Sequence, residues 1–230
     1  MSRRATTGVA AALLVCNAAS LCAIYFGVRQ YPPFWSQAEA WVYVCEPVAA
    51  LLVYSGLTVW LSEMRDAWWE TVLRIALLFG MAAAAVDFVG LIIENGIVVH
   101  VHGPAVQIAM MLTLFTVWGA AGWHAARSLG SVRAGLVAAV VSAGVCMIVA
   151  VMAALIMQLF FVPPSISEVA TWGEFKRSGW TNPRAFAIAN TLDSGFTHFI
   201  AAPVIAAVTG AVGSVRGCYA KSKSTRVVAH

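Results

Sequence analysis

The chain has 230 residues, of which 61% are hydrophobic and 10% are Asp, Glu, Lys or Arg. Soluble domains carry about 25% charged residues, so a chain this apolar could not cover its own surface in water, and we expect the lipid bilayer to be its solvent. The formal net charge of +4 is small and does not predict nucleic-acid binding. The class expected from composition is therefore an integral membrane protein.

The cysteines do not indicate a disulfide framework or a zinc site. Their number is odd, and no two of them have the CxxC spacing that both would favour. They are Cys16, Cys22, Cys45 and Cys146 in apolar segments, and Cys218 in a basic C-terminal stretch. We interpret them as small buried hydrophobic residues.

Six segments are long and apolar enough to cross a bilayer, which needs about 20 residues per helix. They cover residues 8–28, 41–62, 72–95, 105–126, 135–162 and 186–214. The sequence thus predicts an all-α, polytopic bundle of six transmembrane helices that forms one integral membrane domain over residues 1–230.

Residues 1–20 also have the basic start and short apolar core of a signal peptide. The apolar run continues through LCAIYFGV, however, which favours a retained first helix.

Lys and Arg residues are unequally divided between the two sides of the predicted bundle. With a cytoplasmic N-terminus, ten lie inside and four outside, and positive residues concentrate on the cytoplasmic side of membranes. Both termini are therefore expected in the cytoplasm, with the protein in the plasma (inner) membrane. Tryptophans agree with this arrangement, because they cluster near span ends: Trp35, Trp41, Trp172 and Trp180 at one side, and Trp60, Trp68, Trp69 and Trp123 at the other.

The connection 163–185 is the only long one between predicted spans. Ile166, Val169, Trp172 and Phe175 recur every three residues in it, with charged residues between them. This pattern is typical of a short amphipathic helix that lies on the membrane surface.

Acidic residues in the third predicted span are the most unusual feature of the sequence. In VDFVGLIIENG, Asp87 falls near mid-membrane and Glu94 lies about two helical turns later on the same face. A carboxylate at the bilayer centre costs about 2.5–3.5 kcal/mol, so such acids are candidates for functional sites. Glu46 lies about one turn from the outer end of the second span.

The sixth predicted span carries polar residues at matching depth. Asn190, Asp193 and Thr197 share one helical face. His198, the next residue, points about 100° away from Thr197 around the helix axis. Pro203 predicts a kink near His198 because it cannot donate to the carbonyl of Phe199. The predicted ligand- or ion-binding residues are Glu46, Asp87, Glu94, Asn190, Asp193 and His198.

The HVH sequence at 100–102 is a possible metal site. In an extended loop, His100 and His102 point to the same side, where they could bind Cu or Zn together with His198. Two histidines at similar depth on facing helices could instead hold a haem. A metal ion or a haem is therefore the cofactor that this pattern would accommodate.

Three functional hypotheses follow. The first is a protein that binds or transports a small cation, a proton or a small polar solute at an outward-facing acidic site. The second is a membrane redox protein or enzyme that holds a metal or haem through His198 and His100 or His102. The third is an accessory subunit of a homo-oligomer or larger membrane complex, assembled through small-residue faces such as GMAAAA at 80–85. No Walker, GxGxxG, GxSxG or HExxH motif occurs, which argues against nucleotide-driven pumping and the common hydrolases.

Overall fold

A computed structural model describes residues 3–64, 66–93, 104–161 and 166–228. Eight α-helices occur in these ranges, and no strand does. They are α1 (Arg3–Arg29), α2 (Ala40–Glu63), α3 (Ala67–Ile92), α4 (Pro104–Leu129), α5 (Val132–Ile156), α6 (Ile166–Val169), α7 (Gly173–Ser178) and α8 (Pro183–Val228). A 3₁₀ turn covers Pro32–Phe34, and a π-helical turn, Met157–Phe161, extends α5.

The predicted six spanning helices are confirmed. Helices α1 to α5 and α8 each contain a segment long and apolar enough to cross a membrane. The main difference lies in the sixth, where the helix continues beyond the predicted end at 214 to Val228. Its continuation is more polar and basic, so apolar periodicity could not have located its end. Helix α8 also passes through Pro203 without interruption.

The two ends of the bundle are defined by contacts between connections. At one end, the start of α3 meets the start of α5, since Arg133 lies over the Trp68 ring at 5.8 Å. At the same end, Lys221 of α8 donates to the Ser128 carbonyl at 3.0 Å. We call this the turn end. At the other end, the Tyr31 hydroxyl donates to the Asn182 side chain at 2.8 Å. We call this the loop end.

Local sequence signals determine where helices stop and start. Helix α4 ends at Leu129, and Gly130 adopts a left-handed conformation with φ of 69° that residues with a side chain rarely accept. Ser131 then caps α5 by accepting a hydrogen bond from the Ala134 amide at 3.3 Å. Because this connection is so short, α4 and α5 must be antiparallel neighbours. Asn182 caps α8 in the same way, with Pro183 at its first position.

Helix α5 lies at the centre of the bundle and packs against α1, α3, α4 and α8. Its buried surface consists largely of small residues, which allow the neighbouring backbones to approach. They include Ala134, Gly135, Ala138, Ala139, Ser142, Ala143 and Ala150. The scarcity of large side chains on this surface is what permits four helices to contact it.

Helices α4 and α8 make backbone contact in the half of the bundle near the turn end. A Cβ added to Gly122 would lie 2.6 Å from the Gly210 carbonyl oxygen, and one added to Gly213 would overlap the Gly119 carbonyl. Real Cβ atoms do not approach so closely. Glycine is therefore required at these positions for the two helices to pack at this separation.

An aromatic cluster joins the connections at the loop end. Trp180 packs edge-on against Phe34 at 5.8 Å, Tyr43 at 5.6 Å and Phe186 at 6.0 Å. Trp180 was expected at a membrane interface, but it is buried by these contacts. Phe175 also contacts Phe186, at 5.4 Å, so part of the apolar face expected to lie on the membrane packs against α8.

Tyr54 of α2 supplies a hydrogen bond that Pro203 cannot. A proline at 203 has no N–H for the carbonyl four residues earlier, at Phe199. The Tyr54 hydroxyl donates to this same carbonyl at 2.7 Å, and its ring packs on the Phe199 ring at 4.6 Å. In a bilayer an unpaired carbonyl has no water to replace the missing donor. The bond therefore attaches α2 to α8 at the point where the helix lacks an internal bond.

Replacing Tyr54 by Phe should destabilise the protein by about 1–3 kcal/mol, the cost of an unsatisfied buried carbonyl. The same change should cost clearly less in a Pro203→Ala background, because an alanine at that position supplies its own N–H to the Phe199 carbonyl. Reversible unfolding of the four variants by SDS titration in mixed micelles measures this coupling. Equal costs in both backgrounds would show that the hydroxyl does not serve the proline.

Candidate functional site

A cavity of about 620 Å³ lies between α3, α4, α5 and α8. We call it the four-helix cavity. Its lining combines polar groups with methionine and aromatic side chains. The polar lining residues are Asp87, Gln107, Gln158, Asn190, Thr191, Ser194 and His198, and the methionine and aromatic residues are Met110, Met111, Met147, Met157, Phe115, Trp118 and Trp172.

The cavity follows from the way α4 and α8 meet. Their glycines hold the two backbones together near the turn end. The parts of the same helices nearer the loop end, from Gln107 to Trp118 and from Asn190 to Ile205, line the cavity instead. The two helices thus touch backbone to backbone near the turn end and border the cavity nearer the loop end. Trp118, which is 2% exposed, lies where the lining of α4 ends and the close contact begins.

Asp87 is the acid that lines the four-helix cavity. Within the described part of the chain, no hydrogen bond or salt bridge reaches its carboxylate. It is close enough to His198 for the two charges to interact. The bilayer interior strongly disfavours an uncompensated carboxylate. His198 is one source of compensation, and a cation in the cavity would be another.

The imidazole of His198 is oriented by the helix that carries it. Nδ1 lies 2.6 Å from the Ser194 carbonyl oxygen and 3.2 Å from the Ser194 hydroxyl. A carbonyl can only accept, so Nδ1 carries a proton and donates it. In the neutral ring the lone pair is then on Nε2, where it can accept a proton or bind a ligand.

Trp118 lines the cavity, but its indole Nε1 does not open onto it. The atom is inaccessible to solvent and has no hydrogen-bond partner in the described structure, although buried indole N–H groups usually find one. Trp118 is 2% exposed, so it forms part of the packed wall of the cavity.

A second pocket of about 420 Å³ lies at the loop end between α2, α7 and α8. We call it the loop-end pocket. Its charged and polar lining residues are Tyr43, Glu174, Arg177, Ser178, Asn190 and Asp193. Asn190 lines both spaces, because it lies between the two faces of α8 that they adjoin.

The structure brings three of the predicted site residues together and places two elsewhere. Asp87, Asn190 and His198 line the four-helix cavity. Asp193 lies in the loop-end pocket, and Glu46 lies near Tyr43 of the same pocket, close enough for their charges to interact. Glu94, His100 and His102 lie outside the described residues.

Metal ligation by the described residues has limited support. Over the described ranges, no group of three or more His, Cys, Asp or Glu side chains is placed to hold a metal ion. His124, which packs against Phe79 and Trp123, lies towards the turn end, whereas His198 lies in the half near the loop end. These two histidines are therefore not at a common depth, as a bis-histidine haem would require. The predicted pairing of His198 with His100 or His102 includes residues outside the described ranges and stays a prediction.

Several lining residues were not identified from the sequence. Gln107 and Gln158 could have been identified from the sequence, because they are polar residues at the ends of apolar spans. Trp118 was also detectable, because it lies deeper than the other tryptophans. Met110 and Met147 carried no signal, since a methionine in a spanning helix is ordinarily a packing or lipid-facing residue.

Comparison of the chain with protein-family models, with curated proteins and with solved structures gives no match. Its six long apolar helices define the class as a multi-pass α-helical membrane protein. Inferences about its activity therefore depend on the cavity and the chemistry of its lining.

A cysteine at Ser194 tests whether the four-helix cavity is open to solute. In a background with the five native cysteines replaced by alanine, Ser194→Cys should react with a small cationic methanethiosulfonate at least about tenfold faster than Ser142→Cys, because reaction requires an accessible thiolate. Ser142 is the matched control, since it is fully buried in α5. Equal rates in folded protein would mean that the cavity is closed to solute.

Proposed function

We propose that the protein binds a small cation, a proton or a small polar solute in the four-helix cavity and carries it across the membrane. The observation that supports this most strongly is the unpaired carboxylate of Asp87 in a cavity within the spanning helices. Asp87 is half-buried, and a carboxylate without a hydrogen-bond donor inside a spanning helix is costly to the fold, so its presence favours a role in binding. His198, with Nε2 free in its neutral form, is a second group that can exchange a proton there.

The alternative of an accessory subunit has weaker support. Small residues that could serve contacts with other proteins are used within this chain, as at Gly122, Gly210 and Gly213. Asp87 also does not hold helices in register through a hydrogen bond, since it makes none to any described residue. Both observations favour a site for a ligand over a purely structural role.

The orientation that we propose places the turn end in the cytoplasm and opens the cavity on the outer side of the plasma membrane. Basic residues near the turn end, among them Arg127, Arg133 and Lys221, support this assignment.

A single cysteine at the exposed Thr181 should be labelled on intact cells by a membrane-impermeant maleimide. One at the exposed Ser128 should be labelled only after the cells are permeabilised. The reverse pattern would contradict the orientation.

Asp87→Asn should abolish the stabilisation that a bound cation provides. Binding at about one hundred times the Kd adds about 2.7 kcal/mol to the folded state, which is readily measured as an increase in Tm. We expect one of Na⁺, K⁺, ammonium or guanidinium, compared at equal ionic strength, to raise the Tm of the wild type but not of Asp87→Asn. Asp193→Asn is the matched control, because it lies in the loop-end pocket.

Proteoliposomes provide the corresponding transport measurement. We expect the cation to displace a proton from Asp87 when it binds, so that cation and proton exchange across the membrane. With a pH-sensitive dye inside the vesicles, a gradient of the stabilising cation should then produce a pH change with the wild type and with Asp193→Asn, but not with Asp87→Asn. Identical responses of wild type and Asp87→Asn, together with identical thermal shifts, would exclude Asp87 as the binding group.

A further inference from the structure

The four-helix cavity favours a positive occupant. Its described lining contains one carboxylate, Asp87, and one histidine, His198, and includes no Lys or Arg. With Asp87 ionised, the lining is negative when His198 is neutral and has no net charge when His198 is protonated. An anion would therefore meet no fixed positive charge apart from a protonated His198, whereas a cation would meet Asp87 in a region of low dielectric.

The size of the cavity leaves room for an organic molecule beside Asp87, and not only for a single small ion. Its volume is about 620 Å³, whereas one water molecule occupies about 30 Å³ of the liquid. Pockets for organic ligands have volumes of about 300–1,000 Å³. A bare or partly hydrated metal ion would leave most of this space without contacts.

The walls are suited to an apolar, polarisable body. Phe115 and Trp118 lie one turn apart on α4, with ring centroids separated by 6.2 Å and planes inclined by 31°. Aromatic rings attract cations through their quadrupole, most strongly when water is excluded. Methionine side chains from α4 and α5 complete the wall and can adapt to irregular shapes.

The polar groups are concentrated on part of the lining. Asp87 comes from α3, and Asn190, Ser194 and His198 are spaced at one helical turn or two along α8. Methionines and aromatic rings come mainly from α4 and α5. A ligand with a charged centre and an apolar body could place each part against a matching surface.

We propose that the four-helix cavity binds a lipophilic organic cation, with its charge balanced by Asp87 and its apolar body against the methionine and aromatic wall. This assignment rests on the proposed function, because it takes the same cavity as the binding site and specifies the class of ligand. The binding step is noncovalent. Asp87 acts as a counter-ion, and the half-buried ring of Phe115, packed against the buried Trp118, acts as the aromatic surface.

A pair of ions with the same shape and opposite charge tests the proposal. Tetraphenylphosphonium and tetraphenylborate differ in the sign of their charge, so a purely hydrophobic cavity would not distinguish them. Equilibrium dialysis of each radiolabelled ion against detergent-solubilised protein, corrected for protein-free micelles, measures both affinities. We expect the wild type to bind the cation at least about tenfold more tightly, which corresponds to about 1.4 kcal/mol.

Two variants and one control test whether the preference for the cation over the anion arises in this cavity. Asp87→Asn should reduce affinity for the cation about tenfold and leave affinity for the borate unchanged or higher, while Asp193→Asn should leave both affinities unchanged. Gln107→Lys is a second variant that does not disturb the core, because Gln107 is exposed and lines the cavity. It should weaken binding of the phosphonium and strengthen binding of the borate.

The outcomes separate this inference from the proposed function. Equal affinities for the two ions, or a phosphonium affinity unchanged by both Asp87→Asn and Gln107→Lys, would overturn the assignment of a lipophilic cation. If a small hydrophilic cation still raised the Tm through Asp87, the proposed function would stand without this ligand class. If neither kind of cation bound in a manner dependent on Asp87, both would fail.

Discussion

The backbones of α4 and α8 touch through Gly119, Gly122, Gly210 and Gly213, and the arrangement of the other helices depends on this contact. Small residues on α5 extend the same close packing, since a Cβ on Gly210 would overlap that of Ala139. Packing of this kind replaces the hydrophobic effect, which does not drive helices together in lipid. Because α4 and α8 meet at one end, their other ends are free to separate, and the cavity occupies that space.

Polar groups in the bundle differ in whether the fold satisfies them. The Phe199 carbonyl loses its helical donor to Pro203 and regains one from Tyr54 on another helix. Asn182 similarly bonds both the Tyr31 hydroxyl and the Ala185 amide. Asp87, by contrast, has no hydrogen-bond partner among the described residues, and it lines the cavity. Buried side-chain atoms without a partner also occur away from the cavity, at Asn17 and Ser142. The position of Asp87 in the cavity lining is therefore what favours a ligand.

Helix α8 places Asp193 and His198 in two different environments. Asp193 lies on the face towards α2 and α7, near Tyr43 and the loop-end pocket. His198 lies on the face towards α3, α4 and α5. Both faces were expected to contribute to one site, because the residues have similar depth. Depth along a helix is set by sequence position, but the direction of each side chain around the axis depends on which neighbours pack there.

The sequence by itself determined that this is a membrane protein, how many of its helices are long and apolar enough to span the bilayer, and how far along them its unusual polar residues lie. Apolar runs of the necessary length and the positions of Asp87 and His198 along them are properties of the chain alone. Its tertiary structure decided which of those residues meet. It brought Asp87 to His198 and Asn190, assigned Asp193 to another pocket, and added Trp118 and four methionines to the lining. The reason is physical: a spanning helix is apolar on every side, so its pattern does not indicate which face packs, and close approach between backbones makes that choice.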